Sequence, residues 1–228
     1  MEKVLKEDTN VSSVLNDLVN VTAPSTTNNN SLLLGDLETV NKVMSKITEV
    51  IEVNIDNVNN VADFFVETAN NILDETTTSS WSSKINETGS GADSVLENLD
   101  RFTEKISNVS TTAGEIKVAK SNLFLKVGST NACDGTEMQF PDRRDSDVPK
   151  WAEKTSDKIQ IACRENSKSY SSVMYRNLSK ILPSTLAGNS TNRGEKLNAP
   201  VMSFSYFPKV GGNLERPVEI TFQLYDVS

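Results

Sequence analysis

From Leu33 onward, apolar residues recur at Leu33, Leu37, Val40, Met44, Ile47 and Ile51, and then at Ile55, Val58, Ala62, Phe65, Ala69 and Ile72. Steps of three and four keep such residues on one face of a helix. The doubled step of four at Ile51 breaks that face. Asn54, Asn57, Asn59 and Asn60 gather there, and asparagine prefers caps and turns to helix interiors. The pattern predicts amphipathic helices near 35–53 and 57–75. Upstream, Val4, Leu5, Val11, Val14, Leu15 and Leu18 predict a helix within Glu2 to Val21, ended by Thr22-Ala-Pro and a Ser/Thr/Asn linker over 22–32. Downstream come a short helix around Trp81 and Ile85, punctuation at Gly89 to Gly91, and an amphipathic helix carrying Val95, Leu99, Phe102 and Ile106.

From about Gly114 the period falls to two, the spacing of a strand with one face on a core. Ile116 to Val127 predicts one or two strands broken near Lys120 to Asn122, with Leu123, Leu125 and Val127 on one side and Phe124 and Lys126 on the other. Ile159 and Ile161 mark another strand, and Met202, Phe204 and Tyr206 a further one. Ser169 to Leu182 fits a strand followed by a helical turn, although periodicity alone does not decide it. After a turn at Gly211-Gly212, Val218, Ile220, Phe222 and Leu224 alternate with Glu219, Thr221 and Gln223. Burying those four side chains would contribute roughly 6 to 12 kcal/mol gross, which predicts a half-buried strand over Val218 to Tyr225 as a main support of its sheet. The fold class is α+β: a helical subdomain over 1–112 and an antiparallel β subdomain over 113–228.

Composition narrows the function classes. A net charge of -8 argues against a nucleic-acid partner, whose phosphates need clustered Lys and Arg. No apolar run approaches the ~18 residues of a membrane span. The first residues, Met-Glu-Lys-Val-Leu-Lys-Glu-Asp, contain no apolar signal core, so the chain reads as cytosolic or as a piece of a longer secreted protein. The absence of histidine removes the usual metal ligand and the commonest general base near neutral pH. No catalytic, cofactor-binding or metal site is expected.

The strongest charge cluster, Asp142-Arg-Arg-Asp-Ser-Asp147, lacks the glycine and distal glutamate of a calcium loop and reads as a solvated loop. Gly89-Ser-Gly-Ala follows no strand and has no Lys-Ser/Thr after it, so it reads as a helix entry and not as a phosphate loop. Cys133 and Cys163 would pair in an oxidising compartment, closing a loop that adds about 3 to 4 kcal/mol, and would be two free thiols in the cytosol. Asn10, Asn20, Asn29, Asn86, Asn108, Asn177 and Asn189 each begin an Asn-x-Ser/Thr sequon, close to the number expected by chance. They are permitted glycosylation sites if the chain is secreted, with Asn86, Asn108, Asn177 and Asn189 as the candidates.

The order of Phe64-Phe-Val-Glu-Thr-Ala-Asn-Asn-Ile-Leu73, Trp81, Val95-Leu-Glu-Asn-Leu99, Val173-Met-Tyr-Arg-Asn-Leu178, Pro200-Val-Met-Ser-Phe-Ser205 and Pro217-Val-Glu-Ile-Thr-Phe222 resembles the GAIN domain of adhesion G-protein-coupled receptors, latrophilin-like members especially. The resemblance runs over about Leu33 to Asp226. It implies a helical subdomain on a twisted β-sandwich, at the extracellular face of the plasma membrane and next to a seven-helix receptor. In the family, the strand resembling Val218 to Tyr225 leads into a proteolysis-site motif with a His-Leu-Thr/Ser tripeptide. None of that motif has a counterpart here, so no cleavage residue carries over. The expectation is a noncatalytic module, truncated before the motif and lacking its final strands. Its edge strand (Val218, Ile220, Phe222, Leu224) would pair with the receptor's next segment, and a Cys133 to Cys163 bridge would form on secretion. An acidic interaction protein unrelated to receptors is the alternative.

Overall fold

The computed structural model describes residues 11–24, 32–130, 137–163, 168–176, 178, 181–182, 200–208 and 217–223. The helical half comprises α1 (Val11–Thr22), α2 (Leu34–Val50), α3 (Val58–Ile72), α4 (Thr78–Thr88) and α5 (Asp93–Ala113), with a short 3₁₀ turn, Glu75–Thr77, ahead of α4. The interruption between α2 and α3 is built by asparagine chemistry. Asn54 Oδ1 accepts from the backbone N–H groups of Asp56 and Asn57, while the Asn54 N–H donates to Asn57 Oδ1. Asn59 and Asn60 lie in the first turn of α3, not in the break. Gly89 closes α4 at φ 71°, a left-handed conformation that a side chain would strain. At the start of α5 the Asp93 carboxylate accepts from the Gly91 N–H and the Ser90 hydroxyl. This is the helix entry expected from Gly89 to Gly91. Gly114, at φ 88°, ends α5.

Strands follow at once: β1 (Ile116–Ala119), β2 (Leu123–Ser129), β3 (Glu137–Phe140), β4 (Lys158–Ala162), β5 (Ser169–Tyr175), β6 (Val201–Phe207) and β7 (Glu219–Thr221), with one helical turn, α6 (Lys150–Glu153), between β3 and β4. Every ladder is antiparallel. One sheet has the order β1-β2-β5-β6 and the other β3-β4-β7. The first sheet is covered on both faces, and the alternation in β2 shows how. Leu123, Leu125 and Val127 join the core of Leu37, Phe65, Trp81, Phe102 and Ile106 on the helical side. Phe124 points the other way, into a cluster with Phe140, Val148, Ala152 and Met174. The sides predicted for these residues are the sides they occupy. β5 divides likewise, with Val173 and Tyr175 toward the helices and Met174 toward the second sheet. The open choice for Ser169 to Leu182 therefore resolves as a strand to Tyr175.

Three layers result, helices on a four-stranded sheet on a three-stranded sheet, the α+β architecture expected. The helical core and the inner face of the first sheet form one continuous apolar cluster. Phe65 of α3 and Phe102 of α5 stack within it at 4.1 Å between ring centroids. The two sheets are joined by Phe124 on Phe140, at 5.3 Å, and by the Tyr206 hydroxyl, which donates to the Ala162 carbonyl at 2.6 Å.

Polar side chains fix the register of helices on sheet. Asn70 Oδ1 accepts from the Asn122 backbone N–H and the Ser121 hydroxyl in the β1–β2 turn. Asn122 Nδ2 returns bonds to the Asn70 carbonyl and Asp74. Beside them Lys120 pairs with Asp63 and Glu67 of α3, both at 2.8 Å.

The final strand departs from expectation. β7 is three residues long and, among the described residues, pairs only with β4, through Lys158↔Thr221, Ile159↔Ile220 and Gln160↔Glu219. Val218 packs partly on Ile161, Tyr170 and Tyr206, but Ile220 is 51% and Phe222 48% exposed, and Leu224 lies outside the described residues. The strand is at the edge of its sheet and, among the described residues, nothing covers the outer end of its apolar face. The main support of the sandwich is instead β5, buried along its whole length between β2 and β6.

Candidate functional site

Two places in the β half gather polar or apolar groups in ways the core does not require. The first is the edge at β7. Its far end is held by Gln223, whose side-chain oxygen accepts from the Ser156 N–H at 3.0 Å and whose own N–H donates to Asp157 Oδ1 at 2.6 Å. Asp157 is 1% exposed, and its Oδ2 has no hydrogen-bond partner among the described residues. A buried carboxylate oxygen without a donor is costly. Here it lies at the end of a short edge strand whose neighbouring side chains, Ile220 and Phe222, are half exposed. Apolar surface, a strand edge and a buried acceptor, the last two without a partner among the described residues, thus occur together.

The second place is an ionic cluster on the face of the first sheet turned toward the second, where Lys117 and Lys126 stand side by side on β1 and β2. Asp145 accepts from Lys117 at 2.7 Å and from Lys126 at 3.4 Å, and Glu115 from the same two ammonium groups at 3.1 and 3.0 Å. The Tyr170 hydroxyl donates to Glu115 at 3.2 Å. Burial by itself would raise the Asp145 and Glu115 carboxyls, but the lysines and, for Asp145, the Asp147 N–H outweigh it and hold both below their ordinary values. Burial works against the charge of Lys117 too, and Asp145 with Glu115 reverses it, so its pKa is raised. Burial, reinforced by Glu115, pushes the Tyr170 phenol upward. The solvated-loop reading of Asp142 to Asp147 is corrected in part: Asp145 is 10% exposed and locked between two lysines, whereas the side chain of Arg144 is 89% exposed and reaches only its neighbour Asp142. Periodicity could not have found this cluster, because its members meet only when the 142–147 loop folds across β1 and β2.

Stability should follow the cluster's titration. For the carboxylates, whose folded pKa values are depressed, the stabilisation is complete above about pH 4, the unfolded value, and is lost as pH falls through the folded values. For Lys117, with a raised pKa, it is complete below about pH 10 and lost only as pH rises through the folded value. Asp145→Asn should cost about 2 kcal/mol at pH 7, since it leaves two partly buried ammonium groups with a weaker partner. It should also flatten the loss of stability between about pH 5 and pH 3. Urea unfolding of both proteins across that range is the measurement.

The remaining candidate residues are scattered. Asn86 on α4 and Asn108 on α5 are exposed, as is Asn20 on α1; Asn10, Asn29, Asn177 and Asn189 lie outside the described residues. Cys163 is not a free thiol, and Cys133 lies outside the described residues. Among the described residues no group of three or more His, Cys, Asp or Glu side chains could hold a metal ion, and no helix is long and apolar enough to cross a membrane.

Comparison with known proteins agrees with this architecture. A family model described as the AGRL2-4 GAIN subdomain A matches residues 1–107, and a GPS model described as GAIN subdomain B matches residues 113–227. The chain belongs to the GAIN-domain family of adhesion G-protein-coupled receptors. Its fold is similar to part of the full extracellular region of zebrafish Gpr126/Adgrg6, with a TM-score of 0.64 at 15% identity over 92% of the chain. The match spans 27% of that structure. No curated protein matches the chain. Membership in this family sets aside the alternative of an acidic interaction protein unrelated to receptors.

Proposed function

We propose that the chain is a noncatalytic extracellular module of an adhesion receptor, which holds or shields an activating segment of that receptor and carries adhesive force through the strands that grip it. The observation that carries this reading is the β7 edge, where half-exposed Ile220 and Phe222 adjoin a strand edge and an Asp157 oxygen that have no partner among the described residues. The partners are protein: an extended segment of the parent receptor at β7 and an adhesion ligand elsewhere. The subdomains are 1–112 and 113–228, a division supported by the change from helix to strand at Gly114. A Cys133 to Cys163 bridge forms on secretion, and Asn86 and Asn108 are open to glycosylation; Asn177 and Asn189 complete the candidate set.

The test is thermal melting with an extended peptide copied from the parent transcript downstream of this module, against its scrambled counterpart. Matched peptide at 100 times its dissociation constant should add about 2.7 kcal/mol to the unfolding free energy. Equal effects from the two peptides would remove the segment-holding role.

A further inference from the structure

A groove of about 540 Å³ opens beside α6, lined also by Met174 of β5 and by Ser121 and Arg176 at the ends of the first sheet's strands. Its walls are unlike the rest of this acidic chain. Lys150 and Lys154, four residues apart around α6, and Arg176, just after β5, bring three exposed cations to one opening. None of them forms an ion pair among the described residues, where Lys117, Lys120 and Lys126 are all engaged by carboxylates. Between the cations lie the hydroxyl-bearing Ser121 and Thr155 and the side chain of Trp151. Trp151 is fixed in place: it packs on the Phe124, Phe140 and Met174 cluster, and its indole N–H donates to the Lys120 carbonyl at 2.9 Å.

A rigid indole wall, hydroxyls at its side and unpaired cations around it form a set suited to one ligand class. Pyranose rings lay their C–H faces on aromatic rings, which are apolar and electron-rich on their faces. Sulfate and carboxylate groups on the same sugar take charge-assisted hydrogen bonds from Lys and Arg. An acidic peptide would use the cations but has no flat apolar face for the indole. We propose that this groove binds an anionic oligosaccharide bearing sulfate and uronate groups, with Trp151 as its stacking platform and Lys150, Lys154 and Arg176 as its anion contacts. The proposal stands on the groove alone and does not depend on the receptor reading.

The chain contains two tryptophans, and Trp81 is fully buried, so quenching of tryptophan emission by iodide reports on Trp151. A sulfated glucosamine–uronate hexasaccharide should produce a saturable change in emission and at least halve the iodide quenching. Its apparent affinity should fall roughly 20- to 40-fold between 50 and 200 mM salt, as expected for about three neutralised anions. The desulfated hexasaccharide should bind at least tenfold more weakly, and the double variant Lys150→Gln, Arg176→Gln should lose at least tenfold while melting as the parent does, because both side chains face solvent. Three results would each overturn the proposal: no fluorescence response to the sulfated sugar, unchanged affinity in the double variant, or equal affinity for a poly-glutamate peptide of the same charge.

Discussion

Phe102→Ala should lower the unfolding free energy by about 4 kcal/mol, among the largest effects expected of a single truncation in this chain. Phe102 is fully buried and lies flat on Phe65, so the change removes an aromatic side chain and leaves its stacking partner facing a cavity. The surroundings cannot collapse easily into that space. α5 rests on β2 and β5 and is tied to α2 through Asn98 and Asn41, while α3 is tied to the β1–β2 turn, so neither helix can shift without breaking a polar joint. With a total stability of about 5 to 15 kcal/mol, such a loss takes a substantial share of the folded state's margin. It should depress the melting temperature by roughly 8 to 16 °C in a chain of this size. Because the core runs unbroken from the helices into the first sheet, helical and tertiary signals should melt together. A helical signal that survives at temperatures where the amides of β2 and β5 have lost their exchange protection would show that the halves fold independently.

Asn70→Leu should cost about 3 kcal/mol through a different physical route. The substitution keeps roughly the same volume but removes the oxygen that accepts from the buried Asn122 N–H at 2.9 Å and from the Ser121 hydroxyl at 3.1 Å. The cost is mainly that of a buried backbone donor left without a partner, which exceeds the net worth of the bond itself. Hydrogen exchange gives a local signature that simple core damage would not. The Asn122 amide should lose protection ahead of the amides of β5, which keep their ladder bonds. If Asn122 and the β5 amides lose protection equally, the joint does not act as a separate clamp between α3 and the hairpin.

The helices were legible because each pairs a long apolar stripe with a chemical stop. The step at Ile51 and the cluster at Asn54 and Asn57 marked the break between α2 and α3, and glycine marked the ends of α4 and α5. Unlike β5, whose Ser-Tyr-Ser-Ser-Val-Met-Tyr does not alternate, β2 was legible for a related reason: it alternates residues that must go to opposite faces, and both faces are covered. The same alternation misled at Val218 to Tyr225. Period two states which side chains share a face and says nothing about whether a layer lies over that face. β7 sits at the edge of the smaller sheet, so Ile220 and Phe222 share a face with buried Ile159 and are still half exposed. The ionic cluster was hidden because Asp145 meets Lys117 and Lys126 only across the sheet, and the groove because Trp151 and Arg176 come from segments on either side of β4. Family resemblance reached what periodicity did not, since the order of motifs from Phe64 to Phe222 identified the domain before any contact was known.

The account depends most on β7 serving as the place where an extended segment is held. Isotope-edited NMR of the chain with the matched downstream peptide examines that directly, through contacts between peptide protons and the Ile220 methyl and Phe222 ring protons, together with slowed exchange of amides along the free edge of β7. The account predicts contacts at both side chains, slowed exchange at those amides of β7 whose N–H groups point away from β4, and neither with the scrambled peptide. Peptide contacts confined to other surfaces, or an unchanged β7 under saturating matched peptide, would contradict it.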